Sequence, residues 1–469
     1  MRSLDNTPAS LRPATQTTGT EEDTVSIEAQ LIDETSNAAR PWLERPLNRV
    51  IAIKPDEVQG AMLSFAYFFA VLCAYYIIRP VRDEMGVTVG QAGLEKLFTI
   101  VFVVMLAAVP LFGWVVSRFE KRRIVPYVYA FFIANLLGFW ALLGTGTITA
   151  WVAGAFFVWA SVFNLFVVSM FWILMSDLWR TDQAKRLFGF IAAGGSAGAF
   201  MGPLITQTLV NVVGPTNLLL ISAALLLASI AVAMRLRQLF EGQCADRQRS
   251  SDVLTGKGIL AGAEAVWRSP FLFRIALWIL LANIVSTFFY FEQTRIVGET
   301  ITDRASRVQL FARLDLAVSV LTILSQVFLA ARVIGRFGVA TTAAALPAVA
   351  VVGLLALSIA PVLAVIVTVM ALERAIAFAL ANPAVKTLYT SLDPEEKYKA
   401  QNFIDTVVYR GGDAMSGWLF NGLSKGLGLG MATIALVTVP VALLWLATSF
   451  ALGRASGGEA EEVDDVEAA

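Results

Sequence analysis

The sequence predicts an all-α membrane protein with twelve transmembrane helices, arranged as two pseudo-symmetric six-helix bundles. Three observations lead there. Hydrophobic residues make up 57% of the 469 and charged residues only 15%, with a mean hydropathy of +0.68, too apolar for a water-soluble chain of this length. The apolar residues fall in runs long enough to cross a bilayer core, which takes about 20 residues per helix. The basic residues between those runs favour alternate loops, and the second half of the chain echoes the first at three places.

Residues 1–55 are rich in Thr, Ser, Pro and acids and lack an apolar run, which predicts a disordered cytoplasmic tail rather than a signal peptide. Six spans follow near 60–80, 97–117, 124–144, 150–175, 187–212 and 216–235, forming an N-terminal bundle over 56–236. A cytoplasmic linker over 237–268 leads to spans near 271–291, 309–331, 339–359, 361–381, 403–423 and 430–452, a C-terminal bundle over 269–453. An acidic cytoplasmic tail, 454–469, ends the chain. Helices are the expected element because alternating strands of about ten residues, the mark of a membrane barrel, do not occur.

Loop charge orients the bundle. Arg118, Lys121, Arg122 and Arg123 follow the second span, Arg180, Lys185 and Arg186 the fourth, and Arg235, Arg237, Arg247, Arg249 and Lys257 the sixth. Arg332 and Arg336 follow the eighth, and Lys386, Lys397 and Lys399 the tenth. The opposite loops at 144–149 and 211–216 and the turn at Ala360 carry no charge, so the positive-inside rule puts both termini in the cytoplasm. Two outer loops, after the first and seventh spans, break the pattern by being strongly charged.

Those two segments are related. CAYYIIRPVRDEMG (73–86) aligns with STFFYFEQTRIVGE (286–299), placing Tyr75 and Tyr76 on Phe288 and Phe289, Arg79 on Glu292 and Arg82 on Arg295. GGSAG (194–198) is echoed by GGDAMSG (411–417), and SRF (117–119) by GRF (335–337). Parallel six-plus-six repeats joined by a central loop are the plan of the major facilitator fold, whose substrate site lies near mid-membrane between the halves. GWVVSRFEKRR (113–123) resembles that superfamily's loop between spans two and three, with Ser117 in place of the usual Asp and Glu120 in place of a Gly. Gly189, Gly198 and Gly202-Pro203 in the fifth span have the spacing of an antiporter glycine signature, and equally that of glycines that let helices approach closely.

A charge at the centre of a span costs at least about 2.5–3.5 kcal/mol on insertion scales, which makes each one a candidate for function. The candidates are Arg79, Arg82 and Asp83; Glu292 and Arg295; Arg313 and Asp315; Glu373 and Arg374; and Asp405, Arg410 and Asp413. Tyr75, Arg79 and Arg82 lie on one helix face, although Pro80 discourages helical geometry at Arg79. Arginines suit bidentate capture of phosphate or carboxylate, and aromatic neighbours such as Tyr76 can stack a base or a guanidinium. Three readings of Arg79 and Arg82 stay open: an outer gate paired with Asp83, Glu84 or Glu292, direct substrate contact, or snorkelling to the interface. Asp405, Arg410 and Asp413 can share one cavity, either as a proton-coupling cluster or as a self-neutralising structural one.

Several chemistries are excluded. Histidine is absent from the chain, which removes Ser-His, Cys-His and His-metal sites, and the two cysteines, Cys73 and Cys244, read as unpaired thiols. No Gly-rich phosphate loop of the ATPase kind occurs, so ATP would be cargo and not fuel. No enzymatic activity, cofactor or metal is expected. Lys plus Arg equals Asp plus Glu at 36 each, giving no sign of a nucleic-acid partner.

YYIIRPVRDEMG, SDLWRTDQAKRLFGFIAAGG and KYKAQNFIDTVVYRGGD resemble segments of the ATP/ADP translocase family of nucleotide exchangers, over nearly all of residues 57–452. The likeness is closest to the family's free-living bacterial branch. It implies an exchanger of nucleotides or a related anionic metabolite in a bacterial inner membrane, with the bilayer and a small anion such as ATP or ADP as partners and a monomeric state. The family's Arg-x-x-basic-Asp segment falls on Arg79, Arg82 and Asp83, its Asp-x-Ala-Lys loop on Asp182, Ala184 and Lys185, and its Ile-Asp segment on Ile404 and Asp405. Nucleotide exchangers carry an acid in the fourth span, where this chain has Asn164, and a lysine in the eleventh, where it has Arg410 and Asp413. Arg118, Arg122, Asp182, Lys185 and Arg336 are the expected cytoplasmic gate. Proton-coupled transport of another organic anion, drug or peptide, and a non-transporting membrane scaffold or sensor, stand as alternatives.

Overall fold

The computed structural model describes residues 53–55, 57–118, 121–146, 148–240, 257–391, 399–401 and 403–467. The expected amino-terminal tail and Cys244 thus lie almost wholly outside the described residues. Each of the twelve expected spans has its helix. The first half holds α1 (Val58–Val89), α2 (Gln91–Arg118), α3 (Lys121–Gly144), α4 (Ala150–Leu178), α5 (Thr181–Val213) and α6 (Leu218–Phe240). A short helix, Lys257–Arg268, precedes α7 (Pro270–Thr300), α8 (Arg304–Ser325), α9 (Ala331–Ile359), α10 (Leu363–Ile376), α11 (Tyr409–Asn421) and α12 (Met431–Glu467). By length and hydropathy, 10 stretches among the described residues can cross a membrane. One of them, Arg304–Ile359, covers both α8 and α9, and within it the chain kinks where Gly338 takes φ 76°.

Local chemistry sets the boundaries. Thr149 caps α4, and Ser269 caps α7 with Pro270 in the first turn, where its missing N–H costs nothing. Asp303 caps α8 by accepting from the Ser306 amide at 2.8 Å, and its bonds to Ser306 hold the carboxyl below the usual aspartate range. Widened π turns extend α8 (Gln326–Ala330) and α10 (Ala377–Ala381) and open α11 (Ile404–Val408), a type of bulge frequent at functional sites.

The structure corrects the sequence-based ends of two spans. The charged segments after spans one and seven are not outer loops; they belong to α1 and α7, continuous helices of 32 and 31 residues. At 1.5 Å per residue each runs about 48 Å, longer than the bilayer core. Pro80 sits inside α1 without ending it. Its lost hydrogen bond is tolerated within a packed membrane bundle, and the charges around it are paired inside the protein, Arg79 and Glu84 with α8 and Arg82 with the adjacent Asp83. At the other terminus, α12 runs on to Glu467 through the acidic segment.

Within the first half α5 presses against α1 through its glycines. A Cβ on Gly198 would sit 2.4 Å from the Phe69 carbonyl oxygen, and one on Gly202 2.7 Å from the Tyr76 Cβ, so only glycine permits this approach. Aromatic packing fills the rest, with Phe68 stacked on Phe171 at 4.0 Å and Tyr67 and Tyr129 hydroxyls bonded at 2.7 Å. The second half repeats the device: Gly412 of α11 lies against Leu280 and Asn283 of α7. Deeper in that half Trp278 donates to Ser449 at 2.8 Å.

The halves close on each other at the end where α1 and α7 finish. There Arg304 donates to Glu84 at 2.8 Å, Trp418 to Thr99 at 2.9 Å, Asn421 to Glu95 at 3.4 Å and Gln309 to the Gln207 carbonyl at 3.1 Å.

Candidate functional site

Below this closure, between the halves, lies a cavity of about 520 Å³. Helix α1 contributes Tyr75, Tyr76, Arg79 and Arg82 to its wall, which the 3.6-residue period brings to one side. Glu373 and Arg374 come from α10 and Arg410 and Asp413 from α11. Asn164 of α4 and Asn283, Ser286, Thr287 and Tyr290 of α7 add neutral polar groups.

Each charge in this chamber has a partner. Arg79 of the first half and Arg374 of the second share Asp315 of α8, Nε to Oδ2 at 3.6 Å and Nη1 to Oδ1 at 3.2 Å; the Asp315 side chain is only 2% exposed. Arg82 donates to Asp83 through Nε at 3.1 Å and Nη2 at 2.8 Å, and the Tyr290 hydroxyl donates to the same oxygen at 3.5 Å. Arg410 pairs with Asp413 at 3.5 Å. Thr287 donates to Asp413 at 3.3 Å and Ser286 to Glu373 at 2.5 Å. The guanidinium of Arg82 lies 4.8 Å from the Phe157 ring centroid, that of Arg79 5.5 Å from Tyr76 and that of Arg410 5.3 Å from Tyr409. Four arginines therefore face four carboxylates, and the charges of the group balance, as an apolar surround requires.

Of the site residues expected from sequence, the chamber gathers Tyr75, Tyr76, Arg79, Arg82, Asn164, Glu373, Arg374, Arg410 and Asp413, with Asp83 directly behind Arg82. It does not gather Glu292, Arg295 or Asp405. Glu292 is buried at 4% exposure with both carboxylate oxygens lacking a hydrogen-bond partner, and Arg295 pairs with Glu299 at 3.2 Å. Arg79 takes Asp315 and not Glu292, because alignment of α1 with α7 fixes equivalent turns but not which side chains face each other. The α7 residue that does reach the α1 charges is Tyr290. Asp405 is exposed, and its eight-residue separation from Asp413 puts it about 12 Å further along the axis at 1.5 Å per residue.

The expected gate residues sit at the end away from the closure. Arg118, Lys185 and Arg336 are exposed, Arg336 lies over the Phe337 ring at 5.9 Å, and Asp182 pairs with Arg180 at 3.3 Å within its own half. Arg122 lies in α3, with its side chain outside the described residues. Sequence reasoning named Asp315 among the candidate charges without giving it a partner in the site, and left Tyr290 out. Asp315 gave a signal as an acid inside an apolar span; Tyr290 gave none, being one aromatic in the run Phe288–Phe291.

Two six-helix repeats closing around a charged chamber define a multi-pass membrane transporter of the secondary class. The chain belongs to the Major Facilitator Superfamily, whose family model matches residues 60–417. Solved structures agree on the fold. A bacterial homologue of the iron transporter ferroportin in the inward-facing state superposes with a TM-score of 0.61 at 13% identity, covering 86% of this chain and 100% of that chain. A mutant of the nucleoside transporter NupG gives 0.58 at 13%, covering 84% and 99%. A bacterial homolog to the human lysosomal transporter Spinster, inward-facing and unoccupied, gives 0.55 at 13%, covering 87% and 99%. No curated protein sequence matches the chain.

Proposed function

We propose that this transporter exchanges nucleotides such as ATP and ADP, or a closely related anionic metabolite, by alternating access between its two halves. The observation that carries the reading is the set of four arginines, Arg79, Arg82, Arg374 and Arg410, facing one chamber beside aromatic rings. Guanidinium forks bind phosphate and carboxylate bidentately, and an arriving anion competes for them with the resident carboxylates. The resemblance of Arg79, Arg82 and Asp83 to the nucleotide exchangers' motif supports the same cargo. A bacterial inner membrane with both termini in the cytoplasm follows from that resemblance and from the loop charges, and on this orientation the closed end faces outward. The test is labelled ADP uptake into proteoliposomes: uptake should rise at least about tenfold when unlabelled nucleotide is loaded inside. Uptake indifferent to internal loading means the protein is not an exchanger.

A second reading is favoured by one observation. Glu373 and Asp413 line the same chamber, each bonded to a hydroxyl of α7, and buried acids of this kind are suited to proton-coupled transport of another organic anion. Collapse of an imposed pH gradient would stop transport on this reading and leave nucleotide exchange running on the first.

A further inference from the structure

A side arm of about 230 Å³ leads off the chamber between α1, α5 and α8. It shares Tyr76, Arg79 and Phe378 with the chamber and continues past Asp315 along α8, where Ser319, Thr322 and Gln326 face Ser196 of α5. Two of its polar atoms, Thr322 Oγ1 and Asp315 Oδ2, are buried without a hydrogen-bond partner. Ser319 already gives its proton to the Ala199 carbonyl at 3.0 Å and can only accept further, while Gln326 gives one amide N–H to the Phe378 carbonyl at 3.4 Å and keeps its second N–H and its acceptor oxygen. The arm therefore offers acceptors at Asp315 and Ser319 beside the Thr322 hydroxyl and the Gln326 amide, which can both give and accept, a lining that suits hydroxyl groups. A cation is disfavoured, since Arg79, Arg374 and Asp315 at its mouth sum to one positive charge. A neutral group carrying several hydroxyls fits this lining, beside Arg79 and next to the Asp315 carboxylate that holds Arg374.

We propose that the arm is a subsite for the hydroxylated part of the substrate, so that the cargo is a sugar phosphate, with its phosphate between Arg79 and Arg374 and its sugar hydroxyls on Thr322, Ser319 and Asp315. The inference rests on the proposed function in that those two arginines take the phosphate; it adds that the sugar, and not the base, is recognised by specific hydrogen bonds. A volume of 230 Å³ equals the liquid share of about eight waters, room for one sugar ring.

The experiment uses the purified full-length protein and thermal-shift titration with inorganic phosphate, ribose 5-phosphate, ADP and 2′,3′-dideoxy-ADP. Ribose 5-phosphate should bind at least about tenfold more tightly than inorganic phosphate, and ADP at least about tenfold more tightly than its dideoxy analogue, since each lost hydrogen bond weakens binding about three- to tenfold. Thr322→Val and, separately, Ser319→Ala should bring both ratios towards unity while leaving the affinity for inorganic phosphate unchanged. ADP and dideoxy-ADP binding equally well would overturn the subsite and leave the nucleotide reading standing. Tight ribose 5-phosphate binding with no ADP binding would do the reverse, and failure of every phosphate-bearing probe to bind would remove both.

Discussion

Arg79 and Arg82 stand three residues apart on α1 and answer to different acids, which separates their expected behaviour. Asp83, 2% exposed, has Arg82 as its charged partner and otherwise the Tyr290 hydroxyl. Arg82→Ala therefore strands a buried carboxylate, and a loss of about 3–5 kcal/mol is expected, read as a lower melting temperature in detergent. Arg79→Ala leaves Asp315 still paired with Arg374, so its melting temperature should fall much less. Exchange should fall at least about 100-fold in both variants, the loss expected when a positioned charge is removed from a buried site. Wild-type exchange by a well-folded Arg79→Ala protein would take Arg79 out of the site.

Among the elements, α5 and α8 give the clearest tests. The approach of α5 to α1 leaves no space at Gly198, where an added methyl would meet backbone and not a flexible side chain. Gly198→Ala is expected to destabilise by about 1–3 kcal/mol, as overpacking does, whereas Gly189→Ala, with open space at its Cα, should be close to neutral. Thermal unfolding of the two variants side by side checks this. The start of α8 should be pH-sensitive. The Asp303 carboxyl is held below its unfolded range by Ser306, so its contribution is fully present above the unfolded value of about 3.9 and is lost as pH falls through the lower folded value. Asp303→Ala should thus melt earlier than wild type at pH 7, with the difference shrinking in acid, while Asp303→Asn keeps the cap and loses the pH dependence.

Alternating access requires that the closed end of the whole molecule come apart. The Glu84–Arg304 pair, with Glu84 only 1% exposed, ties α1 to α8 across the halves, and the Trp418 and Asn421 bonds tie α11 to α2. Arg304→Ala should shift the population towards the state open at this end, because it removes an interaction that exists only in the closed one. A cysteine placed at Gln309, beside the Gln207 carbonyl, should then react faster with a water-soluble thiol reagent. Unchanged reactivity would mean that the pair does not hold the closure.

Amino-acid order alone determined the twelve helices, their grouping into two repeats and the identity of the buried charges, because apolar length and the cost of a charge in lipid are local properties of a stretch of chain. Arg79, Arg374, Arg410 and Asp413 could be named as candidates on that ground. It also fixed two ends wrongly: a hydropathy criterion stops where charge begins, whereas α1 continues with Arg79 and Glu84 paired to α8 and Arg82 to its neighbour Asp83, and α7 continues with Arg295 paired to Glu299 one turn on. Only the tertiary structure decided who pairs with whom. Asp315 joining Arg79 to Arg374 links three helices from two halves, and no spacing along the chain encodes that contact. Glu292, in register with Arg79 by repeat alignment, faces elsewhere, since a repeat relates the turns of two helices while packing settles the direction of each side chain.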